Sequence, residues 1–385
     1  IAFTVTPWLA LKLMKAHDAP GEHPHGAHAP GRLSLAMSRG FARLLSPFLE
    51  SAGKRWLLLG FFVLTTLSLL LDLALGPVGY SAKDVLQAVL WPDSVPVQLR
   101  VVVWDIRLPT ALMALAVGAA LSVAGAQMQT TLNNPLASPF TLGISAAASF
   151  GAALGLAFGV ALFPTVAGYV VPLNAFVMAM LSAGLIHLLS MKRGVTTETI
   201  VLLGIALVFT FNALLALVQY FATEQAVAAV VFWTMGSLTK ATWPKLGVTC
   251  LVLVVTLPLF ARNSWALTAL RLGDDKAASF GINVARLRLQ TLVLISLLAA
   301  FPVAFVGTIG FVGLVGPHIA RMLIGEDQRF FLPASVMTGA LLLSISSVVS
   351  KTLIPGAIFP IGVVTSLIGV PFFISLILGR RERSW

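Results

Sequence analysis

Acidic residues are scarce in this chain: 14 Asp and Glu stand against 25 Lys and Arg, and residues 108–191 contain no Asp, Glu, Lys or Arg at all. Ion-coupled carriers need titratable or coordinating groups inside their apolar segments, because moving a proton or cation requires a group that binds it. This sequence has almost none there. Cysteine is nearly absent too: Cys250 is the single one, set in an apolar run. That excludes a disulfide framework and a thiolate metal cluster, and leaves Cys250 as a small packing residue. His187 stands alone in an apolar stretch and His318 follows Pro317, so both read as packed or capping residues. No catalytic constellation appears, and the chain itself is expected to be no enzyme and to bind no cofactor or metal.

Apolar length is what the sequence does have. Hydrophobic residues make up 58% and charged residues 10%, and mean hydropathy is +0.95. These values place the chain among all-α polytopic membrane proteins. Spans are expected near 56–76, 108–129, 141–162, 170–190, 199–221, 243–260, 289–310, 311–324, 331–350 and 361–379, about ten in all. Between the first two, residues 77–105 read as a non-cytoplasmic excursion of short helices, and residues 224–245 as an amphipathic outer segment. With both termini cytoplasmic, 19 Lys and Arg fall inside and six outside (Lys83, Arg100, Arg107, Lys240, Lys245 and Lys351). That bias obeys the positive-inside rule. The net charge of +11 then has anionic lipid, not nucleic acid, as its counter-charge, since no basic stripe is interleaved with aromatics.

The one long polar island in the later part of the chain is residues 262–288, with Arg262, Arg271, Lys276, Arg286 and Arg288 against Asp274 and Asp275. Ala277, Ala278 and Gly281 among these charges suit a short helix, a glycine break and the close approach of another protein. It reads as a cytoplasmic docking loop, with an ordinary solvated loop as the alternative. Two stretches, 124–143 and 305–325, are each small-residue helices broken by Gly or Asn and Pro, facing opposite ways, which suggests an inverted repeat. Ala114, Gly118 and Ser122 allow close helix packing. Gln127, Gln129, Asn133 and Asn134 are costly in hydrocarbon unless paired, so they line a path or cap helices.

Residues 1–54 form a cytoplasmic extension preceding a membrane domain over 55–385. Its His17, His23, His25 and His28 lie among Pro and Gly, a flexible linker more than a metal tract. The phrase TPWLALKL and the basic run after it weakly resemble the linker of a resistance-nodulation-division efflux pump.

Five phrases carry a broader resemblance: RLPTALMALAVGAALSVAGAQMQTTLNNPLASPFTLGIS, VLLGIAL with VFWTMGSL, LGDDKAASFGI, GFVGLVGPHIARML and PIGVVTSLIGVPFF. In this order they resemble the permease subunits of bacterial ABC importers for ferric siderophores, haem and cobalamin, over roughly residues 57–381. The resemblance implies a permease of the inner (plasma) membrane that translocates an iron chelate. It also implies a second permease copy (homodimer, or heterodimer with a paralogue), separate ATPase subunits that hold ATP and Mg, and a periplasmic or lipoprotein substrate-binding protein. By the same resemblance Asp274, Asp275, Lys276, Ala277, Ala278 and Gly281 couple to the ATPase. Asn134, Leu136, Thr196 and Thr197 form the cytoplasmic gate, and Arg107 and Lys351 dock the binding protein. The chain departs from many members at Thr110, Ser138, Ser347 and Ile358-Phe359, which bears on the cargo. A secondary carrier and a membrane scaffold are the competing classes; the shortage of intramembrane carboxylates speaks against the carrier.

Overall fold

The computed structural model describes residues 32–76, 79–162, 167–190, 197–354 and 356–379. The His-rich linker, Lys192, Arg193, Thr196 and the terminal Arg380, Arg381 and Arg383 lie outside the described residues. The chain divides into two units, Ile1–Leu57 and Leu58–Trp385. The described residues of the first are helical.

Helices α1 (Arg32–Ala74), α2 (Ala82–Leu90), α3 (Val97–Val101) and α4 (Leu108–Thr131) open the chain. They are followed by α5 (Ile144–Phe158), α6 (Val170–Ser190), α7 (Thr197–Phe221), α8 (Glu224–Thr234) and α9 (Trp243–Arg262). Two short helices, α10 (Ser264–Leu270) and α11 (Asp274–Ser279), lead to α12 (Val284–Val306), α13 (Val312–Ile324), α14 (Gln328–Thr352) and α15 (Ile361–Gly379). No strand occurs among the described residues. Among the described residues, seven helical segments are long and apolar enough to cross a membrane, and three shorter apolar helices (Ile144–Phe158, Val312–Ile324, Ile361–Ile374) accompany them. The protein is an all-α polytopic membrane protein.

Local chemistry sets the helix starts. Ser81, Thr223, Asn283 and Asp327 each accept from a backbone N–H two or three residues on, satisfying a donor that the first turn leaves open. One expectation is corrected. The helix of the second span does not begin at Leu108; a continuous 35-residue helical run covers Val97–Thr131. Its Val102–Arg107 portion is a π-turn. The charge at Arg107 does not end the helix because its guanidinium is turned inward and donates to the Leu73 and Ala74 carbonyls at 3.0 and 3.1 Å.

At the centre, α4 is buried along nearly its whole length. In a bilayer an apolar helix can face lipid on any side, but α4 is covered by other helices instead. Glycine makes that coverage possible: a Cβ on Gly118 would come within 2.3 Å of the Gly339 carbonyl oxygen of α14, and one on Gly125 within 1.7 Å of that of Gly313 of α13. Ser122 packs between Gly316 and Gly339. The small residues at spacing four are thus packing positions, as expected.

Two ends can be told apart from side-chain pairings. The Arg-rich end gathers the last turn of α4, the end of α9, α10, α11 and the start of α14: Gln127 and Thr130 pair with Gln328, and Gln129 with Arg321. The opposite end gathers the end of α1, Arg107 and the end of α14, where Lys351 meets Asp72. The break between α4 and α5 lies toward the Arg-rich end, and the break between α12 and α13 toward the other. The interrupted pairs therefore run in opposite senses, as an inverted repeat requires.

Candidate functional site

Three interrupted stretches meet at one place. The turn after α8 (Thr234–Gly236), the break after α12 (Gly307–Phe311) and the entry to α15 (Pro360–Gly362) exchange main-chain hydrogen bonds: Ser237 N–H to Val306 O at 2.7 Å, Gly362 N–H to Met235 O at 3.0 Å and Ile361 N–H to Gly236 O at 3.2 Å. The Thr308 hydroxyl donates to the Thr234 carbonyl. Irregular backbone at membrane depth survives only when its polar groups are paired in protein or face a cavity. Glycine permits the approach here: Gly236 and Gly307 have φ of 73° and 80°. A Cβ on either would lie 2.5 Å or less from a carbonyl oxygen of the other stretch. Phe311 adopts φ 66°, a costly conformation for a bulky residue. Sequence reading gave these stretches no site role, although each break carries its own glycine.

Beside this junction lies a cavity of about 680 Å3, reached also by Ser138, Phe140 and Thr141 from the α4–α5 connection. Hydroxyls of Ser138, Thr141, Thr234, Thr308 and Ser366 stand among Met235, Leu314, Leu367 and Val370. Among the described residues, no Asp, Glu, Lys, Arg or His lines it. Among the described residues, no group of three or more His, Cys, Asp or Glu is placed to hold a metal ion.

At the Arg-rich end, α11 carries the island. Gly273 and Gly281 flank it with φ of 104° and 81°, and Arg288 Nη2 pairs with Asp274 at 3.0 Å. Asp274, Asp275, Lys276, Ala278 and Gly281 are exposed, as coupling residues need to be; Ala277 is fully buried against its own chain. Leu272 and Phe280, 56% and 54% exposed, put apolar side chains on the same surface. Sequence reading missed both, although large apolar residues inside a charged loop were the available signal. The island is fastened to the bundle through Arg271, which pairs with Glu326, as Arg321 also does. Arg321 in turn donates to Gln129 Oε1 at 2.9 Å.

The polar residues ending α4 cap and bridge. Asn133, at φ 44°, closes the helix: Asn134 N–H bonds to Gln129 O at 3.1 Å and Asn133 N–H to Thr130 O at 3.3 Å, the pattern of a left-handed helix stop. Asn134 Oδ1 accepts from Leu136 N–H at 2.9 Å, and Leu136 is 53% exposed. Gln127 and Gln129 are bridged to Gln328 and Arg321. Of the other gate candidates, Thr197 opens α7, and Thr196 is not described.

The docking candidates Arg107 and Lys351 lie together at the opposite end, both lining one cleft of about 60 Å3. The charged groups of both are turned into the protein. Arg107 is only 4% exposed, packed over Gly76 and Tyr80. Lys351 Nζ, its side chain 8% exposed, pairs with the fully buried Asp72 at 2.8 Å. Ser347 also donates to Asp72, at 3.0 Å. A cation in a low-dielectric setting takes the nearest carboxylate or carbonyl, because an unpaired buried charge is far costlier than a lost exposed contact.

Several known proteins are similar to this chain. The hemin transport system permease of Yersinia pestis is 36% identical over 85% of this chain and 97% of its own length. The vitamin B12 import system permease of Vibrio vulnificus is 37% identical over 72% of this chain and 83% of its own. A solved metal-chelate type ABC transporter in an inward-facing conformation superposes with a TM-score of 0.74 at 31% identity, covering 84% of this chain and 99% of that one. Residues 64–379 match the model of the FecCD transport family, and the chain belongs to that family.

Proposed function

We propose that this chain is the membrane-spanning subunit through which an ATP-driven importer moves an intact ferric siderophore into the cell, across the inner (plasma) membrane. As an ABC importer permease it is a transport subunit and not an enzyme. The observation that carries the cargo reading is the cavity at the three-way junction: five hydroxyl-bearing residues on apolar walls with no titratable side chain among the described residues that line it. A bare cation would require carboxylates or imidazoles along its route. A chelate brings its own ligands and needs only a few polar contacts and room; the hydroxyls of Thr141, Thr234, Thr308 and Ser366 donate to main-chain carbonyls, so their oxygens remain as acceptors for donor groups on the chelate. Haem or cobalamin is the second reading, favoured by the hemin and vitamin B12 relatives.

The same reading gives ten crossings, cytoplasmic termini beyond a 1–54 extension, and a second permease copy beside this one. An ATPase subunit seats on Asp274, Asp275, Lys276, Ala278 and Gly281 with Leu272 and Phe280. Ala277 positions α11 from beneath. ATP and Mg belong to that partner. Movement at the island reaches the gate at Asn134 and Leu136 through Arg271, Glu326, Arg321 and Gln129, and Thr196 and Thr197 belong to the same gate. Arg107 and Lys351 mark the end where the substrate-binding protein docks.

Uptake of a labelled ferric siderophore, with haem and cobalamin in parallel, in cells expressing this chain with its ATPase and binding protein, tests the reading. ATP-dependent accumulation of the siderophore is expected. Uptake that persists without ATP and collapses with an uncoupler would replace it with a secondary carrier.

A further inference from the structure

Two grooves flank the last turns of α9 at the Arg-rich end. One, of about 640 Å3, lies toward α14, with Arg329 at its rim. That arginine is neutralised: its Nη2 pairs with Asp327 at 2.7 Å. The other groove, of about 400 Å3, lies between α9 and α12, with the end of α6 closing one side. Leu259, Leu289, Val293 and Leu294 form its walls together with His187 of α6 and Gln290, and Arg262 and Asn263 stand at its head.

Arg262, Lys276 and Arg286 are the cations of this end that have no ion pair among the described residues, and of these three Arg262 lines the groove. Arg271, Arg288, Arg321 and Arg329 each face a carboxylate. Arg262 is exposed and has no ion pair among the described residues. Trp265, one turn further and 65% exposed, marks the depth at which indole rings settle in a bilayer, the headgroup level. An apolar trough that starts at this level and ends on an uncompensated cation complements a molecule with a hydrocarbon tail and an anionic head. Basic pockets between helices at the cytoplasmic face hold lipid headgroups by the same logic.

We propose that the α9–α12 groove is a binding site for an anionic phospholipid of the inner leaflet. Its phosphodiester lies against Arg262 and Asn263, and an acyl chain runs along Leu259, Val293 and Leu294. The lipid then forms part of the floor on which α10 and α11 stand. This inference uses the membrane orientation proposed above and is independent of the cargo.

The test uses the full-length chain in neutral detergent, incubated with phosphatidylglycerol or with phosphatidylcholine of the same acyl chains, with retained lipid counted by native mass spectrometry. Phosphatidylglycerol is expected to be retained in preference. Arg262→Gln is expected to weaken that retention about fivefold, the factor equivalent to about 1 kcal/mol for one interfacial arginine. Arg329→Gln, whose parent is already paired, leaves it unchanged. Val293→Trp fills the trough and displaces the lipid although Arg262 remains. Equal retention of both lipids, undiminished retention by Arg262→Gln, or an equal loss in Arg329→Gln would overturn the proposal. Because no cargo enters the experiment, its failure says nothing against the importer reading.

Discussion

At the scale of single residues, the buried ion pair between Asp72 and Lys351 is the feature with most energy at stake. Asp72 is fully buried and its carboxylate serves Lys351 and Ser347 together. Removing one partner of such a pair leaves an uncompensated charge, at a cost of about 3–5 kcal/mol. Asp72→Asn is therefore expected to lower the melting temperature in detergent sharply, and Asp72→Asn combined with Lys351→Met to recover most of the loss. Additive losses in that double-mutant cycle would show that the pair is not coupled. The same geometry changes the expectation for Arg107. Because its guanidinium holds the final carbonyls of α1, Arg107→Glu should destabilise the fold itself, visible as an earlier melting transition at every salt concentration. A variant with an unchanged melt that captures the binding protein poorly only at low ionic strength would instead restore Arg107 as an exposed docking charge.

At the scale of elements, glycine decides which helices can touch. Gly125→Ala must push against the Gly313 backbone, which no side-chain rotation relieves. Overpacking of this kind costs about 1–3 kcal/mol. Gly247→Ala, where a Cβ meets nothing within 4 Å, is the matched control. Thermal melts of the two should separate clearly; identical melts would mean α4 and α13 can part without penalty. In the island, Gly281 has open space around it but φ of 81°. A substitution there carries the backbone penalty of the left-handed region, which Asn tolerates better than a β-branched residue. Ala278 is exposed within α11 and free of that complication. Ala278→Glu should abolish co-purification of the ATPase and leave the melt of the permease unchanged. Retained co-purification would remove α11 from the coupling surface.

At the scale of the whole molecule, the two ends are built differently for different tasks. The Arg-rich end is a web of ion pairs and amide bridges in which Glu326, Arg321, Gln129 and Gln328 bind α4, α13, α14 and the island to one another. Such a web ties these elements together. Glu326→Gln weakens both arginine contacts while leaving hydrogen-bond capacity in place. It is expected to lower cargo uptake severalfold while ATP hydrolysis by the assembled transporter continues. Uptake and hydrolysis falling together would assign Glu326 to assembly and not to transmission. Between the ends, the junction of three broken stretches supplies the polar cavity without placing a charge in the membrane.

Much of this was legible in the sequence. Periodicity and length located the apolar segments, because a bilayer imposes a minimum helix length and excludes charge. The island, the small-residue seam of α4 and the family phrases could likewise be read from residue type and spacing, which are local properties. What the sequence could not supply is which distant residues share a place. Asp72 and Lys351 are 279 positions apart, and no local pattern pairs them or turns Arg107 inward. The meeting of Gly236, Gly307 and Gly362 likewise depends on how α8, α12 and α15 pack. The sequence alone determined that the chain is a helical membrane permease of this family, since hydrophobic length and motif order are one-dimensional. Only the tertiary structure decided which polar groups are spent on holding the fold and which remain for partners, because burial and charge pairing are settled by side chains that meet across the bundle.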